Sequence, residues 1–126
     1  AGMVVVNVNP LYTARELAYQ LRDSGARAIV VLENFAHVLE RALADAPVEH
    51  VVTTAIGDLL PAPRAMLANF VVRHVKKMVP AWSIPRAVPL AAALRAGRDV
   101  PLQPEAPGPD DIAFLQYTGG TTGVPK

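Results

Sequence analysis

Three glycines, three threonines and a lysine stand within the ten residues Tyr117-Thr118-Gly119-Gly120-Thr121-Thr122-Gly123-Val124-Pro125-Lys126. Glycine lets a backbone take positive φ and turn successive N–H groups toward one ligand, threonine hydroxyls add donors, and a lysine ammonium adds a cation. Together they suit an anion, phosphate above all. The plain alternative is a glycine-rich turn between two strands, and the threonines and the lysine weigh against it. A Walker A loop is excluded, because GxxxxGK[ST] needs glycine directly before the lysine and Ser or Thr after it. Here Pro125 precedes Lys126.

Such a loop must be delivered by a strand. Residues 112–117 are apolar and aromatic and predict a buried strand whose C-terminal end opens into the motif, the place where open α/β sheets bind ligands. Upstream, the valine-rich stretch 3–8 predicts a strand buried on both faces, stopped by Asn7, Asn9 and Pro10. No GxGxxG follows it, so a dinucleotide site lacks its main support. Thr13 and Glu16 form a capping-box pattern with Tyr12 and Leu17 spaced as a hydrophobic staple, so a helix starts at Ala14, and Gly25 ends it. Further strands are predicted at residues 28–32 and 50–54. Between them Asn34 is placed to cap a second helix, with Phe35, Val38, Leu39, Ala42 and Leu43 as its stripe and Pro47 as its end. The alternation β-α-β-α-β over residues 1–56 predicts a parallel sheet with flanking helices, a partial Rossmann-like α/β fold.

The motif resembles the phosphate-binding loop of the adenylate-forming superfamily, which includes acyl-CoA synthetases, luciferases and peptide-synthetase adenylation domains. Its Gly119-Gly120 form, where the superfamily more often has serine first, resembles the bacterial long-chain fatty acid–CoA ligases. Val5-Val6-Asn7-Val8-Asn9-Pro10-Leu11-Tyr12 also resembles that branch. The resemblance implies an internal piece of the large N-terminal domain of an adenylate-forming enzyme. Within it Thr118, Gly119, Gly120, Thr121, Thr122, Gly123 and Lys126 bind nucleotide phosphates. It implies ATP with Mg2+, CoA as co-substrate and a fatty acid as substrate, and it assigns no catalytic residue and no metal ligand to these residues. The adenine, ribose and magnesium-associated groups and the lysine of the small C-terminal domain come later in the family's sequences, so this piece alone is expected to be inactive.

The chain has 126 residues, 52% of them hydrophobic, enough for a core. It starts inside an apolar run and stops inside the motif, which fits an excised piece. A net charge of +1 with no interleaving of aromatic and basic residues argues against nucleic acid. The absence of cysteine excludes disulfides and thiolate chemistry, and fits a cytoplasmic setting. No apolar run reaches transmembrane length.

Residues 57–100 form a basic, helical insertion. Between Asp58 and Asp99 there is no acidic residue, while Arg73, Lys76 and Lys77 accompany a stripe of Leu67, Phe70, Val71, Val75, Met78, Val79 and Trp82 at helical spacing. Two readings stay open: the stripe packs on the parent domain, or Phe70, Arg73, Lys76, Lys77 and Trp82 contact an anionic membrane at the inner face of the cytoplasmic membrane. Prolines 80, 85 and 89 predict loop, residues 90–96 a short helix, and residues 101–111 a proline-rich connector into the last strand and loop, 112–126. Asp110 and Asp111 are read as turn residues, and His37 and His50 as packed or solvated.

The function expected is ATP-dependent activation of a long-chain fatty acid to acyl-adenylate and then acyl-CoA. Two alternatives stand beside it: activation of an aryl or amino acid carboxylate by the same superfamily chemistry, and a non-catalytic α/β module for membrane or protein interaction.

Overall fold

The capping box at Thr13 starts the first helix as its residues require. In the computed structural model, which describes residues 2–118, the Thr13 hydroxyl accepts from the Glu16 N–H at 3.3 Å and Glu16 Oε2 accepts from the Thr13 N–H at 2.8 Å. Helix α1 (Ala14–Ser24) ends at Gly25, whose φ of 63° lies in the left-handed region that glycine enters without a Cβ clash. Its buried face is Leu17, Ala18, Gln20 and Leu21, packed against helix α2 (Ala36–Ala42).

All strand pairs are parallel, as the alternation predicts, but the strands divide between two sheets. Strand β2 (Ala28–Leu32) pairs with β3 (His50–Thr54), Ala28 opposite His50, and β3 pairs with β4 (Ala87–Pro89). Strand β1 (Val5–Asn7) pairs instead with β5 (Phe114–Gln116), Val5 opposite Phe114. No local signal announces that pairing, because its register is set by residues from opposite ends of the chain. The core lies between α1, α2 and the β2–β3–β4 sheet, around Leu17, Leu21, Ile29, Leu39, Val51 and Ile84.

Four local expectations change. Asn34 does not cap α2. It sits in a 3-10 turn (Glu33–Phe35), and its side-chain amide donates to the Met78 carbonyl at 3.0 Å. The basic segment is not one helix through Trp82. Helix α3 (Arg64–Phe70) passes into a π-helical turn (Val71–Val75), closed by the Lys76 N–H on the Val71 carbonyl at 2.8 Å. Lys77 then takes φ 50° and turns the chain away, which brings Trp82 onto the core. Residues 87–89 are strand rather than loop, since a proline at the rim of a three-residue edge strand costs little pairing. Finally, β1 and β5 are not buried on both faces: Val5 and Phe114 are exposed. Helix α4 (Leu90–Gly97) follows the expected short helix.

Candidate functional site

The end of β5 is where the motif begins, and polar ties rather than apolar burial hold it. The Asn7 amide donates to Gln116 Oε1 at 2.9 Å across the β1–β5 pair. On the other side of β1, Gln20 Nε2 donates to the Asn7 carbonyl at 2.7 Å, and Gln20 is only 1% exposed. One residue beyond β5, the Tyr117 hydroxyl donates to Asp23 Oδ2 at 2.5 Å. Helix α1 therefore holds both strands, β1 through Gln20 and the exit of β5 through Asp23.

The Tyr117 phenol is pushed up to about 12, first by its hydrogen bond to Asp23, then by loss of water and by the charge of Asp23. It stays protonated around neutrality and serves as a donor. Of the residues expected to bind phosphate, Thr118 is described, with its side chain exposed. Gly119, Gly120, Thr121, Thr122, Gly123 and Lys126 lie outside the described residues.

The residues expected to meet a membrane have different surroundings. Phe70 is 57% exposed and stacks in a tilted fashion on His74, ring centroids 5.1 Å apart. Lys76 and Lys77 are exposed. Arg73 is paired with the buried Glu33, and Trp82 packs against the core. A separate polar knot fastens α3 to the exit of β3. Asn69 Oδ1 accepts from the Gly57 N–H at 2.8 Å, and its amide donates to Asp58 Oδ1 at 2.9 Å.

Other polar residues serve turns. Asn9 Oδ1 accepts from the Leu11 N–H at 3.0 Å, and Asp111 Oδ2 from the Gly108 N–H at 2.7 Å. His50 is exposed at 4.0 Å from Glu49. Among the described residues no three His, Asp or Glu side chains converge as a metal site, and no helix is long and apolar enough to cross a membrane.

Sequence reasoning missed Gln20, Asp23 and Asn69. Gln20 left a trace, a polar residue at helical spacing among Leu17, Leu21 and Ser24. Asp23, next to the helix end, left none, because its partner lies 94 positions away.

A parallel α/β scaffold whose last strand runs straight into a Gly/Thr/Lys motif has the organisation of a nucleotide-handling α/β protein. The chain belongs to the AMP-binding enzyme family, which it matches over residues 1–126. It is 54% identical over 127 residues to a long-chain-fatty-acid–CoA ligase of Escherichia coli O157:H7, covering 100% of this chain and 22% of that protein. It is 34% identical to the long-chain-fatty-acid–CoA ligase of Bacillus subtilis, again over 100% of this chain and 22% of the relative. A 4-hydroxybenzoate–CoA/benzoate–CoA ligase of Rhodopseudomonas palustris is 37% identical, with 100% of this chain matching 19% of that protein. The chain thus spans about a fifth of the length of these relatives.

Proposed function

We propose that this chain is the phosphate-loop portion of a ligase that activates a long-chain fatty acid with ATP and passes the acyl group to CoA. The observation that carries the reading is the 54% identity to a long-chain-fatty-acid–CoA ligase over the whole chain, motif included. A fatty carboxylate oxygen attacks the α-phosphorus, and pyrophosphate leaves. The CoA sulfur then attacks the acyl carbon, and AMP leaves. In this scheme the backbone N–H groups of residues 119–123, the hydroxyls of Thr118, Thr121 and Thr122, and the Lys126 ammonium hold the β- and γ-phosphates. Their work is positioning and charge neutralisation, not proton transfer. Magnesium accompanies the nucleotide phosphates.

The test is pyrophosphate release by the full-length ligase carrying these residues, with ATP and fatty acids of graded length. Stimulation by long chains supports the assignment, and no stimulation by any fatty acid overturns it. Benzoate belongs in the same series, because the 37% identity to a benzoate–CoA ligase favours an aryl carboxylate as the second reading.

The reading extends to location. Phe70, Lys76 and Lys77, with the exposed Met66, Leu67, Val75 and Met78, support peripheral contact with the anionic inner face of the cytoplasmic membrane. Each cation near such a surface contributes on the order of 1 kcal/mol, so Lys76 and Lys77 matter only together with apolar insertion. Vesicle binding of the full-length ligase that survives Lys76→Gln with Lys77→Gln undiminished rules this contact out.

A further inference from the structure

Strand β5 is only three residues long and has β1 as its partner, and Phe114 at its start is 64% exposed. Apolar burial therefore does little to fix the segment that enters the phosphate motif. What fixes its exit is the Tyr117 hydroxyl on Asp23 Oδ2, one residue before Thr118. Asp23 and Gln20 are three apart on α1, hence on one side of the helix. Gln20 holds the β1 backbone while Asp23 holds the chain beyond β5. The capping box and Gly25 fix both ends of α1, so the helix is a rigid mount.

We propose that Asp23 is a positioning residue for phosphate binding, holding through Tyr117 the backbone that carries Thr118. This rests on the phosphate-loop reading of residues 118–126. A Thr118 backbone anchored one residue upstream has less freedom to lose when a triphosphate binds, so the anchor acts on ATP affinity and leaves the acyl substrate alone.

The experiment is steady-state kinetics of the full-length ligase with ATP varied at saturating fatty acid, then the reverse. Asp23→Ala and Tyr117→Phe are each expected to raise the KM for ATP about five- to tenfold, the size of one ordinary lost hydrogen bond, since this exposed bond acts on the phosphates only through the backbone it holds. The KM for fatty acid and the thermal midpoint stay at wild-type values. The double variant is no worse than either single, because both remove the same bond. Asp23→Asn keeps a carbonyl acceptor and returns the KM for ATP to within about twofold of wild type. An unchanged KM for ATP in Asp23→Ala overturns the proposal, as does an equal rise in both KM values with a lowered thermal midpoint. Lys126→Ala separates the two readings. If it raises the KM for ATP while Asp23→Ala does not, only the positioning role fails; if neither does, the phosphate reading fails with it.

Discussion

Glu16 accepts from Thr13 twice, from its backbone N–H at 2.8 Å and its hydroxyl at 2.7 Å. These bonds, the backbone one first, hold the Glu16 carboxyl below the ordinary glutamate value of 4.5. A lowered folded-state value means that the cap contributes fully above the unfolded value and is lost as the pH falls through the folded one. Hydrogen-exchange protection of the first turn of α1 is therefore expected to hold from neutrality to about pH 4.5 and to fall below it. Thr13→Ala should weaken that turn by about 1 kcal/mol at neutral pH and flatten the pH dependence. A second residue-scale prediction concerns Gly57. A Cβ there would stand 2.7 Å from Asn69 Oδ1 and 2.8 Å from the Ala65 carbonyl oxygen. The carbonyl is backbone and cannot swing aside, so Gly57→Ala must push α3 from the exit of β3. Exchange protection across residues 64–70 should drop, whereas Gly25→Ala, with open space around it, should cost only its backbone strain of about 1 kcal/mol.

At the scale of elements, the parts legible in the sequence are those whose cause is local. The caps of α1, the valine-rich β2 and β3 and the short α4 follow from neighbouring residues alone. The parts that were not legible depend on distant partners. Asn34 abandons its capping role because a carbonyl 44 positions away, Met78, is offered to it. The basic stripe breaks where Arg73 reaches Glu33, and the pairing of β1 with β5 sets Tyr117 against α1. The candidate site divides the same way: the motif was readable, and its mount was not. The Glu33–Arg73 pair also separates two kinds of cation. Glu33 is 5% exposed, so Arg73→Ala leaves a carboxylate buried without its counter-charge. Breaking a fully buried pair costs about 3–5 kcal/mol, and the half-exposed Arg73 lowers the expectation to about 2 kcal/mol. Limited proteolysis within residues 71–78 should quicken in Arg73→Ala and stay at the wild-type rate in Lys76→Gln and Lys77→Gln. Equal rates for all three would mean that the pair does not hold the π-helical turn.

For the molecule as a whole, area decides what needs covering. The chain exposes 9365 Å², where a compact monomer of 13.4 kDa would expose about 6,500 Å². Among the described residues, exposed apolar side chains stand in two places: Met3, Ile112 and Phe114 beside the β1–β5 pair, and Met66, Leu67 and Phe70 on α3. Under the proposed function these two faces take different covers, the first the remainder of the full-length protein and the second an anionic membrane. The chain's three methionines report on both, since Met3 is 75% exposed, Met66 74% and Met78 54%. In the isolated chain all three should be oxidised readily by peroxide. In the full-length ligase Met3 should become resistant, while Met66 and Met78 should stay reactive until anionic vesicles are added. Protection of Met66 and Met78 without vesicles would instead place the stripe inside the ligase and end the membrane assignment. A reactive Met3 in the full-length enzyme would mean that the β1–β5 pair stays open, leaving the polar ties of α1 as the main support of the strand that enters the motif.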